Sequence, residues 1–335
     1  MLKVQVEQLI GSTGQGFETA RTAIRGDVIR TPLLPFGGTA GDMRELRLKA
    51  ECLQPYGSFK IRAASNVLAG LSADELRGGV ACASAGNFGQ GLAYAASRRS
   101  VPLTVHAPAT AAEVKLQVMR DLGATVVVHP FDEWWTIMCT RDTGRDDGLF
   151  VHPVCEPRVI IGNGTIGLEL AEDWPEFDTV VVPVGGGGLI SGIALALRSI
   201  GHQARIIACE IETAAPLSAA LRAGHPVTVD RRDSFVDGIG STRVLDAMWP
   251  LLRELVDDVI VVGVGEAEQG VRRAAEQAHL IVEGAAGVAL AAALSPSCPG
   301  DRVVAVMSGG NIDHQILCRI LGELRSQPAA VTSRA

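Results

Sequence analysis

Lys60 is the residue whose surroundings most clearly suggest covalent chemistry. Lysine is scarce in this chain and occurs only as Lys3, Lys49, Lys60 and Lys115. Lys60 alone lies in a glycine-serine turn, Gly57–Arg62, which opens an apolar helical face of Ile61, Ala64, Leu68 and Leu71. Ser58 is a suitable N-cap, so Lys60 is predicted in the first turn of a helix. The helix dipole disfavours an ammonium there, and in a dry site the pKa of Lys60 falls, as imine formation requires.

A run of four glycines, Gly185–Gly188, predicts a phosphate-binding loop. It follows the apolar run Thr179–Val184, which predicts a buried strand, and precedes a helical pattern over Leu189–Arg198. Successive residues without Cβ let backbone N–H groups converge on an anion, and the helix N-terminus adds partial positive charge. No lysine follows the glycines as it does in nucleoside-triphosphate loops, so such a ligand is not favoured.

The segment Gly162–Gly167 matches the GxGxxG pattern of dinucleotide-binding proteins and is predicted to open the apolar helix at Leu168–Leu170. That fingerprint also needs an acid at the end of the next strand to hold the ribose. Here the next strand ends at Val184 and runs into the glycines, with no acid. A nicotinamide oxidoreductase is therefore a weaker hypothesis for this chain.

Two further loops of small polar residues follow predicted strands. Ser84–Asn87 comes after Val80–Ala83, and Ser308–Asn311 comes after Val303–Met307. The first offers backbone N–H groups to a carboxylate and an amide to a phenolate oxygen, although an ordinary capped turn has the same composition. Because ligands of open α/β sheets bind beyond the carboxyl ends of the strands, these loops are expected to converge with the other two on one cleft.

The elements that position these loops alternate between strands and helices at the spacing of βαβ units. One series of predicted strands is Val80–Ala83, Leu103–His106 and Thr125–His129, and the second is Thr179–Val184, Arg205–Cys209, Val259–Val262 and Val303–Met307. Helical patterns lie over Gln90–Arg98, Ala112–Leu122, Leu189–Arg198 and Glu266–Ala278. The polar stretch Asp142–Gly148 is the predicted crossing between the two series. The prediction is an α/β fold of two parallel-sheet domains with a cleft between them.

Amino-acid composition, net charge and cysteine spacing restrict the fold class and the possible partners of the protein. The 335 residues are 47% hydrophobic and 4% aromatic, which suits buried parallel strands covered by small-residue helices. The net charge of −7 argues against a nucleic-acid partner. Seven cysteines without regular spacing predict reduced thiols in a cytoplasmic protein, and the N-terminus lacks a signal-peptide pattern. The uncharged stretch 179–197 contains Pro183 and the glycine run, so it predicts buried core and no membrane partner.

Together these segments resemble the fold-type II pyridoxal-phosphate enzymes, in particular the branch of threonine/serine dehydratases and serine racemases. The matching segments, in family order, are Arg30–Leu33, Gly57–Arg62, Ser84–Asn87, Gly162–Gly167, Val182–Leu189, Asp237–Gly238, Val282–Gly284 and Ser308–Asn311. The resemblance implies a tryptophan synthase β-like fold: two open, twisted parallel-sheet α/β domains with pyridoxal 5′-phosphate in the cleft. It implies a large cofactor-binding domain of residues 1–52 and 149–325, a small domain of residues 53–148 and a flexible tail of residues 326–335.

The resemblance also implies roles for individual residues. Lys60 carries the cofactor as an imine and is the catalytic base. The implied cofactor contacts are Phe59, Lys60, Asn87, Gly185, Gly186, Gly187, Gly188, Leu189, Gly238, Glu283 and Ser308, and the implied substrate contacts are Ser84, Ala85, Gly86 and Asn87. Ser308 would meet the pyridine nitrogen. Because a neutral serine does not enforce protonation of that nitrogen, β-elimination is favoured over reactions that need a fully developed carbanion.

The reaction implied by the resemblance is dehydration and deamination of a 3-hydroxy amino acid, such as L-threonine or L-serine, to a 2-oxo acid and ammonia. Racemases of this branch carry a second serine after the first in the asparagine loop, and here that residue is Ala85, so a racemase is the second hypothesis. Phe88 replaces a histidine common in relatives; it either shapes a pocket for a bulkier substrate such as phenylserine or is a packing change. A non-catalytic cofactor-binding sensor is disfavoured because Lys60, Asn87 and Ser308 are retained together, and a binder needs no imine-forming base.

The divalent-cation site of many family members is not expected here. Glu210 and Ala214 match its first two positions, but Pro216 stands where an aspartate ligand is typical, which leaves Glu212 as a substitute. Relatives are commonly homodimers or homotetramers, and the resemblance implies the same assembly for this chain, with an amino acid as its small-molecule substrate.

Overall fold

The computed structural model describes residues 1–11, 14–37 and 44–322. Its strands are β1 Leu33–Phe36, β2 Glu45–Lys49, β3 Val80–Ala83, β4 Leu103–Pro108, β5 Thr125–His129, β6 Leu149–Phe150, β7 Thr179–Pro183, β8 Arg205–Ile211, β9 Asp258–Val262 and β10 Arg302–Val306. Its α-helices are α1 Leu2–Ile10, α2 Gln15–Ile24, α3 Lys60–Ala69, α4 Ala73–Leu76, α5 Asn87–Arg99, α6 Glu113–Asp121, α7 Phe131–Thr140, α8 Pro157–Asp173, α9 Gly188–Ser199, α10 Pro216–Ala223, α11 Trp249–Leu255, α12 Val264–Ala278, α13 Gly284–Leu294 and α14 His314–Gly322. The tail predicted for residues 326–335 lies outside the described residues.

The larger sheet has six strands in the order β1-β2-β10-β7-β8-β9. All neighbouring pairs are parallel except β1 with β2, which is antiparallel. β7 is buried along its whole length because helices cover both faces of the sheet, which explains its unbroken apolar sequence. The second predicted series of strands is confirmed. β1 and β2 were not predicted. β1 contains a proline, whereas the alternation of charged and apolar residues in β2 is a strand signal that the prediction missed.

The smaller sheet has four parallel strands in the order β5-β4-β3-β6, and the first predicted series is confirmed within it. Its fourth strand, β6, pairs with Val80 and Ala81 of β3. The prediction that Asp142–Gly148 crosses between the sheets is therefore wrong: this stretch returns the chain from α7 to β6 of the same sheet, and the crossing follows Phe150. Residues 149 and 150 pair within the smaller sheet, although the predicted domain boundary places them in the large domain.

Alternate residues of the larger sheet contribute to two separate cores, as the two-residue period of a strand requires. Val180 and Val182 of β7 pack with α8 and α9, whereas Val181 packs with α12 and α13. A third core lies around the smaller sheet. The uncharged stretch 179–197 is divided between β7 and α9, as predicted. Within the described ranges, no helix is long and apolar enough to span a membrane.

The GxGxxG segment lies inside α8, which begins at Pro157, so the prediction that it opens a helix is wrong. Its glycines allow neighbouring helices to approach closely. A Cβ on Gly162 would lie 2.7 Å from the carbonyl oxygen of Arg62 in α3, and one on Gly164 would lie 2.2 Å from the ring of Phe17 in α2. Helix packing accounts for the motif without a dinucleotide.

Candidate active site

A cavity lies between the two sheets, at the carboxyl ends of β3, β7 and β10, where the predicted loops converge. Its lining residues are Phe59, Lys60, Ser84, Gly86, Asn87, Phe88, Lys115, Pro153, Val154, Pro183, Gly185, Gly186, Gly187, Gly188, Leu189, Asp237, Gly238, Ile239, Glu283, Ala285 and Ser308. Each residue predicted to contact cofactor or substrate is among them except Ala85. This is the position at which open α/β sheets bind their ligands.

Lys60 is the first residue of α3, and its side chain reaches the cavity. The N-cap of α3 is Phe59 and not the predicted Ser58, whose hydroxyl instead accepts a hydrogen bond from the Lys60 N–H at 3.3 Å. Burial lowers the pKa of the Lys60 amine to about 8, although the Glu283 carboxylate opposes that shift. Unprotonated amine is therefore accessible near neutral pH, as a nucleophile or a general base requires.

The turn that presents Lys60 is attached to the serine loop after β10. The Phe59 N–H donates to the Ser308 carbonyl at 3.1 Å, and the Gly310 N–H donates to the Gly57 carbonyl at 2.8 Å. The Ser308 hydroxyl is buried and has no hydrogen-bond partner among the described residues. A buried, unpaired hydroxyl at the wall of a cavity indicates a ligand that supplies the missing partner.

The glycine run forms the turn between β7 and α9, and α9 begins at Gly188. Gly187 has a φ of +90°, a conformation that residues with a Cβ rarely adopt. A Cβ on Gly186 would lie 2.5 Å from Cγ2 of Val154. The turn therefore requires glycine at both positions, and it brings the N-terminus of a 12-residue helix to the cavity wall. Backbone N–H groups in this arrangement suit a phosphate.

Asn87 begins α5 and is held by side chains from the larger-sheet half of the molecule. Its Nδ2 donates to Oε2 of Glu283 at 2.9 Å, and its Oδ1 accepts a hydrogen bond from Nδ2 of Asn311 at 2.9 Å. The second N–H of Asn87 Nδ2 can serve a ligand. Burial raises the pKa of Glu283 to about 7, although the hydrogen bond from Asn87 lowers it. Both protonation states of Glu283 are thus populated near neutral pH.

The asparagine loop is anchored to the smaller sheet. The Ser84 N–H donates to the carbonyl of His106 in β4 at 3.0 Å. Ala85 packs against the core of the smaller sheet, which explains why it does not line the cavity. Phe88 is only 2% exposed and also packs in that core, yet it contributes to the lining. Phe88 therefore has both a packing contact and a surface toward the cavity.

Several lining residues had no predicted role. Lys115 of α6 and Asp237 form an ion pair at 3.3 Å that connects the smaller-sheet half of the molecule to the larger one. Val154, in the crossing segment after β6, packs on Gly186 and adds an apolar wall. Neither contact has a local sequence signal, because each joins positions far apart in the chain. Asn311 lies in a loop that the sequence did single out, but its contact with Asn87 was not predicted.

The carboxylates considered for a cation site contact helix N-termini. Glu210 accepts hydrogen bonds from the N–H groups of Leu217 and Ser218 in α10, both at 2.8 Å. Glu212 accepts one from the N–H of Val264, at the start of α12, at 2.8 Å. In the part of the chain that the structure describes, no group of three or more His, Cys, Asp and Glu side chains is arranged to hold a metal ion.

Two mainly parallel sheets, with a half-buried lysine, a glycine cradle and an unpaired serine around one cleft, define the fold-type II class of cofactor enzymes. A family model described as pyridoxal-phosphate dependent enzyme matches residues 24–309. The chain belongs to this family, and its cofactor is pyridoxal 5′-phosphate.

The chain is similar to curated and solved members of this family. It is 40% identical to an L-threonine ammonia-lyase of Thermotoga maritima over 282 residues, which cover 83% of this chain and 70% of the relative. It is 36% identical to the serine racemase of Rattus norvegicus over 309 residues, covering 88% and 92% of the two chains. The structure of maize serine racemase superposes with a TM-score of 0.84 at 32% identity, covering 90% and 94%.

The residues of the cavity fit pyridoxal phosphate. Its dianionic phosphate matches the glycine turn at the start of α9, where side chains on Gly186 or Gly187 would not fit. Its aldehyde requires an amine with a lowered pKa, which Lys60 provides. Its ring nitrogen and phenolate oxygen require polar partners, and Ser308 and Asn87 line the same cavity.

Proposed function

We propose that this enzyme is a pyridoxal-phosphate-dependent ammonia-lyase that converts a 3-hydroxy amino acid, such as L-threonine or L-serine, into a 2-oxo acid and ammonia. The observation that carries the proposal is a single cavity in which Lys60, with its lowered pKa, the glycine turn and the unpaired Ser308 hydroxyl lie together. The 40% identity to a threonine ammonia-lyase supports the choice of reaction.

In this proposal the glycine turn Gly185–Gly188 and Leu189 hold the phosphate, and Asn87 donates to the phenolate oxygen. Phe59 and Gly238 flank the two faces of the ring, and Ser308 meets its nitrogen. Glu283 acts on the cofactor through Asn87, to which it is hydrogen-bonded at 2.9 Å. The substrate carboxylate binds to the backbone of the loop Ser84, Ala85, Gly86 and Asn87, which leads into α5.

Pyridoxal phosphate, when bound, supplies an electron sink that makes the Cα proton of an amino acid acidic. Lys60 Nζ accepts that proton as the general base. The dry surroundings that lower the pKa of Lys60 keep the amine able to accept it. The backbone of the asparagine loop holds the substrate carboxylate so that the Cα–H faces Lys60. The Cβ–O bond breaks and the 3-hydroxyl leaves as water, taking up one proton for the one that Lys60 accepts. Hydrolysis of the product then consumes one water, so the net products are a 2-oxo acid and ammonia.

An amino-acid racemase is the alternative, supported by the 36% identity to rat serine racemase. Racemisation requires a proton donor on the face of the substrate opposite Lys60. Ala85 has no hydroxyl, and it packs into the smaller-sheet core without lining the cavity. We therefore propose that the chain is a lyase and that racemisation is at most a minor activity of the enzyme.

The substrate side chain is proposed to lie near Phe88, which allows a 3-hydroxy amino acid bulkier than serine, such as phenylserine. Further, we propose that the enzyme acts in the cytoplasm as a homodimer or homotetramer; analytical ultracentrifugation of the purified protein tests the assembly.

The proposal is tested by incubating the cofactor-loaded enzyme with L-threonine, L-serine and threo-3-phenylserine. Release of 2-oxo acid and formation of the opposite stereoisomer are measured in the same samples, with Lys60→Ala as the control. We expect keto acid from at least one substrate, little racemisation, and neither product from the variant. Racemisation that exceeds keto-acid release would overturn the choice of the lyase, and no turnover of any of the three would remove these substrates.

A further inference from the structure

Four buried charged residues lie beside the helix that begins at Lys60. They are Lys49 on β2, Glu51 just after β2, Arg62 on α3 and Glu169 on α8, and are called the Arg62 cluster below. Their side chains are between 0% and 5% exposed. Two cations face two anions, so the cluster is neutral as a whole. None of the four lines the cavity that contains Lys60.

The guanidinium of Arg62 is fully hydrogen-bonded. Toward Glu51, Nε and Nη2 donate to the two carboxylate oxygens, each at 2.8 Å. Toward Glu169, Nη1 and Nη2 donate to the two oxygens at 2.7 and 2.9 Å. The Thr165 hydroxyl and the Ile29 carbonyl are further acceptors, at 3.1 and 3.3 Å. All five N–H groups of the guanidinium therefore have acceptors, and these hydrogen bonds fix the plane of the group.

The energetics of the cluster favour a geometric role. Transfer of charges out of water is costly, so a buried ion pair is often no more stabilising than apolar side chains of similar volume. Burial alone would raise the pKa of Glu51, but Arg62, with smaller contributions from Lys49 and Thr31, outweighs burial and keeps that pKa below its ordinary value. The charges therefore remain. The two hydrogen bonds from Arg62 to each carboxylate form a bidentate pair, called a fork here. Unlike apolar packing, two such forks fix the orientation of the helix that bears Arg62.

The orientation concerned is that of the first turn of α3, because Arg62 follows Lys60 by two residues. Two glycines enclose this turn. A Cβ on Gly162 of α8 would lie 2.7 Å from the Arg62 carbonyl oxygen, and one on Gly91 of α5 would lie 3.1 Å from the Ile61 nitrogen. The turn cannot rotate or slide without breaking the forks or colliding with α5 or α8.

We propose that Arg62 is a positioning residue for Lys60: its two carboxylate forks fix the first turn of α3 and thereby set where Lys60 Nζ enters the cavity. The inference rests on the proposed function, since it takes Lys60 as the lysine that reacts. Arg62 itself touches neither cofactor nor substrate.

The test compares Arg62→Lys, which keeps the charge and loses both forks, with Lys49→Met as the matched control. Lys49 Nζ also binds Glu169, at 2.6 Å, but it is on β2 and not on α3. Circular dichroism and melting curves first establish the temperatures at which each protein is folded. Competitive acetylation of the cofactor-free proteins across a pH range, read by peptide mass spectrometry, then gives the titration of Lys60. Values of kcat and KM for the loaded enzymes complete the set.

We expect the Arg62→Lys protein to titrate Lys60 at a higher pH than the parent, closer to the ordinary lysine value of 10.5. Its kcat should fall by about 10²-fold, with a smaller change in KM, because a shift of about 1 Å is enough for such a loss. Lys49→Met should keep the parent titration and a kcat within about twofold of the parent, whatever its melting temperature.

A folded Arg62→Lys protein with the parent titration and the kcat of Lys49→Met would overturn the inference and leave the cluster a purely structural feature. If Arg62→Lys does not fold, Glu51→Gln replaces it, because it keeps the side-chain size and weakens one fork; the same two readouts then decide. Failure of the proposed function is a separate outcome, visible as a parent enzyme without turnover.

Discussion

At the level of single residues, the site depends on side chains whose pKa values or hydrogen bonding depart from the ordinary. The Lys60 amine has a pKa near 8, Glu283 has one near 7, and the Ser308 hydroxyl lacks a partner. Such departures from ordinary values concentrate at functional sites. Lys60 was singled out by its turn and the Ser308 loop by its position after a strand, whereas Glu283 was named only through the family resemblance. The sequence could not give the pKa of Glu283, which depends on burial by distant parts of the chain.

Ser308→Ala should weaken cofactor binding without weakening the cofactor-free fold. The variant removes a hydroxyl that has no partner until the ligand arrives, so the loss appears as about a 5- to 10-fold higher Kd, equivalent to one hydrogen bond. Absorbance titration of the cofactor-free protein measures it. Ser65→Ala is the matched control, since its hydroxyl is also buried without a partner but lies outside the cavity. Equal effects from the two variants would contradict the role given to Ser308.

Glu283 should make the stability of the cofactor-free protein depend on pH. Its folded pKa of about 7 lies above the ordinary 4.5, so its stabilising contribution is complete below pH 4.5 and is lost as pH rises through 7. Glu283→Gln, which cannot ionise, should have about the same free energy of unfolding as the parent at pH 4.5 and a higher one at pH 8, by on the order of 3 kcal/mol. Urea unfolding at several pH values measures this. A difference that does not vary with pH would show that Glu283 is not the group responsible.

Among the structural elements, the glycine turn before α9 can be tested most directly by adding side-chain atoms. Gly186→Ala should reduce cofactor affinity by at least about tenfold, because its Cβ would displace Val154 or the turn itself. Adding Val154→Ala removes the two Cγ atoms that lie closest to that Cβ, at 2.5 and 2.8 Å, and should recover part of the affinity. Gly26→Ala is the steric control, since Gly26 does not line the cavity and a Cβ there meets nothing within 4 Å. If the double variant binds no better than Gly186→Ala, the clash with Val154 is not the cause.

Strands and loops with strong local patterns could be predicted from the sequence, and those set by pairing partners could not. β7 and β10 are runs of β-branched and apolar residues, and each is followed by a small-residue loop. β6 has two residues and exists because β3 offers an edge, so nothing in its own sequence distinguishes it. The glycines of α8 fitted a nucleotide motif equally well; only the packing of Arg62 against Gly162 identifies their purpose.

At the scale of the whole molecule, contacts between the two halves enclose the cavity, and these were the least predictable. Glu51, Arg62 and Glu169 are dispersed in the chain and meet only because α3 packs against α8 and next to the residues that follow β2. The same holds for Lys115 and Asp237, which come from opposite sides of the cleft. A charged residue outside any recognisable motif is normally predicted to lie on the surface. The fold instead buries Glu51, Arg62 and Glu169, and it leaves Lys115 and Asp237 partly exposed.

The Lys115–Asp237 ion pair should contribute little to stability, because both side chains are partly exposed. Lys115→Met is expected to lower the free energy of unfolding by less than about 1 kcal/mol at low salt, and the difference should disappear at about 1 M salt. Denaturant unfolding at two salt concentrations checks this. A larger, salt-independent loss would mean that the pair holds the two halves together.

Lys60 is expected to bind the cofactor in the cavity between the sheets. Borohydride reduction of the loaded enzyme fixes pyridoxal phosphate to the lysine it is joined to, and peptide mass spectrometry then locates the modified residue. We expect the adduct on Lys60 and none on Lys3, Lys49 or Lys115. An adduct on any of those three, or no adduct in a protein that has taken up the cofactor, would contradict this assignment.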